Sequence, residues 1–98
     1  MPVPGDNLQQ DPDARLYWDM NWTDFLPSGV TISASSWFTS GEDANLLTSS
    51  DSILGGSLIA RVRLVGGTLG VRYRVVNRVD LSDGQEDDRS FWLSIVEM

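Results

Sequence analysis

Residues 66–96, GGTLGVRYRVVNRVDLSDGQEDDRSFWLSIV, decide the fold. A double glycine leads into a run of β-branched, aromatic and basic residues, a polar segment carries Asp83-Gly84, and a second apolar run follows. Two such runs divided by a short Asp/Gly-bearing loop predict a β-hairpin. In the first run Val71, Tyr73, Val75 and Val79 share one parity while Arg72, Arg74 and Arg78 share the other. In the second, Phe91, Leu93 and Ile95 alternate with Ser90, Trp92 and Ser94. A period of two over this length fixes the register, because a slip of one residue would turn arginines into the core.

Working outward, residues 57–65 alternate in the same way, with Leu58, Ala60, Val62 and Leu64 inward and Arg61 and Arg63 outward. Residues 15–22 place Leu16, Trp18, Met20 and Trp22 on one side and Tyr17, Asp19 and Asn21 on the other, which predicts another strand. Residues 23–26 read as one capped turn stopped by Pro27-Ser28-Gly29. Residues 30–39 form a further strand whose apolar parity breaks between Ile32 and Trp37, so either a bulge intervenes or Trp37 faces outward. Residues 40–45 are a loop, and the serine-rich residues 46–54 are expected to make a short, weakly pairing edge strand. No helical period is present.

About six short strands with turns between them predict an all-β fold, a small immunoglobulin-like β-sandwich over residues 15–98. Tyr73, three residues after Gly70, fits the tyrosine that ties a strand back to its preceding loop in such domains. Residues 1–14, MPVPGDNLQQDPDA, lack periodicity and are rich in proline and polar groups. They predict an extended N-terminal arm, the alternative being a segment folded back on its own domain.

Arg61, Arg63, Arg72, Arg74 and Arg78 stand in one interval with no acid among them. On adjacent strands of one sheet these guanidiniums would repel. A sandwich relieves the crowding by sending the two strands to opposite sheets, where each basic stripe can pair with Asp80, Asp87 or Asp88 or with an acidic partner. Arginine in place of every lysine favours interfaces, since its planar fork loses less entropy per hydrogen bond. Trp92, on the arginine parity of its strand, is the tryptophan expected outside; Trp18 and Trp22 are expected to fill the core.

The chain has no histidine, cysteine or lysine, so all seven of its cations are arginine. That removes the usual nucleophile–base pairs, Schiff-base chemistry and imidazole or thiolate metal sites, and neither an enzyme nor a cofactor is expected. Residues 80–88, DLSDGQEDD, do not have the spacing of a calcium loop and read as a hairpin loop with solubilising acids. A net charge of −7 argues against nucleic acid as partner. The charge lies in residues 1–51, which hold eight acids and one arginine, whereas residues 52–98 hold six of each. No basic segment precedes an apolar run and no stretch nears the ~20 apolar residues of a span, so neither a signal peptide nor a membrane partner is expected.

Four pieces of the sequence, DPDARLYWDMNWTDFL at 11–26, TISASSW at 31–37, GGTLGVRYRVVNRV at 66–79 and DGQEDDRSF at 83–91, together resemble a family of small bacteriophage virion proteins, the fibre–tail adaptors. The resemblance implies an immunoglobulin-like sandwich in the phage tail that bridges the tail tube or nozzle to the fibres, in several symmetric copies. It implies contacts with those virion proteins through the arm, anchored by Leu8 and Pro12, and through Arg61, Arg63, Arg72, Arg74 and Trp92. Rival readings are a capsid decoration protein of similar fold and a carbohydrate-binding module whose tryptophans stack on sugar.

Overall fold

The computed structural model describes residues 6–97. In chain order the strands are β1 (Asn7–Gln10), β2 (Arg15–Asn21), β3 (Ile32–Ser40), β4 (Leu46–Leu54), β5 (Ile59–Gly66), β6 (Arg72–Leu81) and β7 (Glu86–Ile95), with one 3-10 turn at Thr23–Phe25. They make two sheets, β1-β7-β6-β3 and β2-β5-β4. Every pairing is antiparallel except that of β1 with β7. The fold is all-β and sandwich-like, as the alternation in the sequence predicts.

The hairpin of β6 and β7 forms, with Arg78 opposite Asp88 and Val75 opposite Phe91, but the strands run into the span read as loop: Asp80 pairs with Glu86, and only residues 82–85 turn. Its turn closes through the Gly84 N–H donating to the Leu81 carbonyl at 3.0 Å. The inward parity of β6 buries Tyr73, Val75, Val79 and Leu81, and β7 adds Phe91, Leu93 and Ile95. From the facing sheet come Ala60, Val62 and Leu64 of β5 and Met20 of β2, with Trp22 just beyond it. One apolar layer thus fills the space between the sheets. The arginine argument holds as well: β5 and β6 lie in different sheets, so Arg61 and Arg63 are separated from Arg72, Arg74 and Arg78.

The connection between β5 and β6 depends on glycine. Gly67 has φ +93°, and a Cβ there would lie 2.6 Å from Ile95 Cγ1. This close approach lets the loop descend onto the core end, where Tyr73 secures it. The Tyr73 hydroxyl accepts the Thr68 backbone N–H at 2.9 Å and donates to Asp43 Oδ1. Asp43 also accepts the Asn45 N–H at 3.0 Å and the Thr68 hydroxyl at 2.7 Å. The tyrosine therefore ties its strand back to the preceding loop, as its position in the sequence suggests, and also holds the β3–β4 loop.

Three features differ from or sharpen the sequence reading. In β3 a register shift between Ile32 and Ala34 restores the broken parity, so Trp37 points inward and Phe38 outward. β4 is an edge strand but not a weakly paired one: it follows β5 from Leu46 to Leu54 with a bulge between Ser49 and Ser52, where Ser50 has φ +50°. The bulge absorbs the poor alternation that made the segment look irregular. Within the span that reads as an arm, residues 7–10 form β1, with Leu8 opposite Leu93 and Gln10 opposite Ile95. Leu8 packs against the core, and the Val96 N–H donates to the Gln10 carbonyl at 3.0 Å.

Candidate functional site

The five outward residues singled out in the sequence divide between the two outer faces of the sandwich. On the face of β2-β5-β4, the register sets Tyr17 beside Arg63 and Asp19 beside Arg61. The Arg61 guanidinium grips Asp19 with two hydrogen bonds, Nε to Oδ1 at 2.7 Å and the terminal nitrogen to Oδ2 at 3.0 Å. That pairing raises the Arg61 pKa above its ordinary value. Arg61 and Arg63 lie with Cζ 5.3 and 6.0 Å from the centre of the Tyr17 ring, and Tyr17 remains 53% exposed. Two cations over one ring, one of them free of any acid in this cluster, make a patch that can stack on an aromatic or fork onto a carboxylate.

On the face of β1-β7-β6-β3, Arg72 stands over Trp92 with Cζ 4.2 Å from the ring centre and donates to the Asn7 side-chain oxygen. Arg74, opposite Trp92 in the ladder, is exposed and donates from Nε to Ser90 Oγ at 3.2 Å. Phe38 of β3, 54% exposed, lies beside Val76 in the same outer layer. The stack shields one face of the Trp92 indole, and the side chain is half-buried rather than free.

Leu8 and Pro12 join neither patch. Leu8 faces the core, and Pro12 lines a shallow open depression with Asp11, Asp13, Leu69 and Glu97. Two arginines of the cluster pair with acids outside the expected set, Arg61 with Asp19 and Arg78 with Glu86, while Asp87 pairs with Arg89 instead. The reason is the register, which sets Asp19 directly across from Arg61.

Sequence reasoning missed two buried polar residues. Gln10 is fully buried; its amide donates to the Leu64 carbonyl at 2.9 Å and its carbonyl accepts the Trp18 indole N–H at 2.6 Å. Asn77, also fully buried, donates to Ser35 Oγ at 2.9 Å and the Ser36 carbonyl at 3.1 Å. Nothing local marks Gln10, but Asn77 lies on the inward parity between Val75 and Val79, and that position is a legible signal. Arg89 is a third inward surprise, its guanidinium 4.7 Å from the Phe25 ring centre at the mouth of the core.

Among the described residues no group of three or more His, Cys, Asp or Glu is placed to hold a metal ion, and no helix is long and apolar enough to cross a membrane. Nor do the tryptophans form an exposed row for stacking on sugar: Trp22 and Trp37 are buried, Trp18 packs against the core, and Trp92 lies under Arg72. Both outer faces carry arginine over an aromatic ring. A family model described as "Podophage GP4 fiber-tail adaptor protein gp77" matches residues 10–94. No curated protein matches the chain.

Proposed function

As the chain belongs to the podophage GP4 fiber-tail adaptor family, and is thereby a structural component of the phage tail in the virion, we propose that its two outer faces hold two different tail proteins. One is the fibre and the other the tube or nozzle to which the fibre is joined. The observation that carries this reading is the presence of arginine beside an aromatic ring on both outer faces of the sandwich. Tyr17 with Arg61 and Arg63 occupies one face, and Trp92 with Arg72 and Arg74 the other. Aromatic and arginine side chains are the residues that dominate protein interfaces, and a bridging protein needs two separate sets. The strand orders β7-β6-β3 and β2-β5-β4, with Tyr73 at its corner, support an immunoglobulin-like sandwich as the block.

The test is a separation of partners. Particles assembled with Tyr17→Ala plus Arg63→Glu, and with Trp92→Ala plus Arg74→Glu, are compared for adaptor and fibre content. Each pair of changes is expected to remove one contact: one variant stays on the tail without fibre, and the other leaves with the fibre. Loss of the same partner from both variants, or of neither, would overturn the two-face reading.

A further inference from the structure

The two outer faces of the sandwich differ in charge. Among the described residues, the paired outward positions of β2, β5 and β4 hold three arginines, Arg15, Arg61 and Arg63, and one acid, Asp19. On the other sheet Arg72, Arg74 and Arg78 are balanced by Asp80, Glu86 and Asp88. A chain of net charge −7 therefore keeps one face locally cationic. The excess is gathered at one end of that face. Asp19 engages Arg61 with both of its oxygens, whereas among the described residues Arg15 and Arg63 form no ion pair. The ladder gives the reason. Arg61 and Arg63 share a parity on β5, but β2 sets Asp19 across from the first and Tyr17 across from the second. From β4 they receive Ser52 and Ser49, and Arg63 reaches the Ser49 hydroxyl at 3.4 Å. One row further on, Val65 stands between the exposed Arg15 and Leu47, the latter 59% exposed.

We propose that this end of the β2-β5-β4 face receives an acidic segment of the tail protein bound there. The Arg63 guanidinium forks onto an Asp or Glu carboxylate of that partner, as Arg61 does onto Asp19. Arg15 holds a second acid, and an apolar side chain of the segment lies on Leu47 and Val65. The inference rests on the two-face reading and adds to it the chemistry of one partner. Charge complementarity selects the occupant. A planar guanidinium takes a carboxylate through two parallel hydrogen bonds, and covering Arg63 with a surface that brings no acid would leave a desolvated charge unpaired. Net charge −7 disfavours both a second copy and a nucleic acid in the same place.

The experiment exploits the absence of lysine from the chain. Arg63→Lys places a single ε-amine in the patch, and a carbodiimide condenses an amine with a carboxylate in direct contact. The full-length variant is bound to purified fibre and, separately, to tails assembled without the adaptor. The partner that Tyr17→Ala plus Arg63→Glu releases is expected to cross-link to Arg63→Lys above the background of the unaltered chain, and not to Arg74→Lys on the opposite face. Its binding is expected to weaken about tenfold with Arg63→Gln, by less with Arg15→Gln, and progressively as salt rises. Bound Arg63→Lys that fails to cross-link, or Arg63→Gln that holds the partner as tightly as the unaltered chain, would overturn the proposal. Either result leaves the two-face reading standing, since that reading fails when both pairs of changes release the same partner or neither. Arg63-dependent binding of a DNA duplex or of a second copy, in place of a tail protein, would overturn the proposal as well.

Discussion

The indole N–H of Trp22 donates to Oδ1 of Asn77 at 2.8 Å, joining the two sheets through a bond buried from solvent. Asn77 spends its amide hydrogens on Ser35 and Ser36 of the neighbouring strand, so this one side chain fixes β3, β6 and the chain following β2. Replacing Asn77 by Leu leaves the indole N–H and the Ser36 carbonyl unpaired in the interior. The expected loss is about 2–4 kcal/mol, read as a lower urea midpoint with unchanged slope. In a double-mutant cycle with Trp22→Phe, the two losses should fall short of additive.

Gln10 plays the same part at the opposite edge. Its side chain bridges from β1 to the Leu64 carbonyl and to Trp18, both in the other sheet. Gln10→Leu is expected to cost about 1–3 kcal/mol by orphaning those groups. Removing residues 1–10 should cost more, since it also uncovers the β7 edge and the core side of Leu8. Thermal unfolding followed by circular dichroism measures both, and a truncated protein as stable as the full chain would contradict the role given to β1.

How far the sequence could be read depends on how many residues repeat a pattern. β6 alternates over most of its ten residues and β7 from Ser90 to Ile95, and their faces and the separation of the arginines were legible, whereas Glu86, Asp87 and Asp88, all acidic, read as loop. β1 was not, because NLQQ is too short to show a period and its polar letters suggest solvent. Gln10 is buried only because β7 and β5 converge on it, a fact of tertiary packing with no local mark. The candidate site was legible in part: parity placed Arg61, Arg63, Arg72, Arg74 and Trp92 outside, but only the cross-strand register shows that Tyr17 and Trp92 are the rings they cover.

The hydrogen bonds from Tyr73, the Asn45 backbone and Thr68 lower the Asp43 pKa below its ordinary value of 3.8. A depressed carboxylate contributes stability that is fully present above the ordinary value and is lost as pH falls through the lowered one. Acid unfolding should therefore steepen below about pH 4. Asp43→Asn should flatten that limb while lowering stability at neutral pH. Denaturant midpoints of both proteins across a pH series provide the comparison.

Gly67 admits no side chain. With φ +93° and Ile95 2.6 Å from where a Cβ would stand, Gly67→Ala combines an unfavourable backbone region with a clash against the core. The expected cost is about 2 kcal/mol or more. Gly84, equally left-handed at φ +89° but with open space around it, should lose only about 1 kcal/mol on the same change. The ranking of the two melting temperatures tests the packing argument apart from the backbone one.

The parallel pairing of β1 with β7 has a consequence for the timing of manufacture. A nascent chain holds β1 unpaired until β7 has been made, so a product without β7 leaves β1 and β6 each short of a neighbour. Completion of this sheet is thereby deferred until β7 is available, and a copy that stops before β7 presents an unfinished sheet.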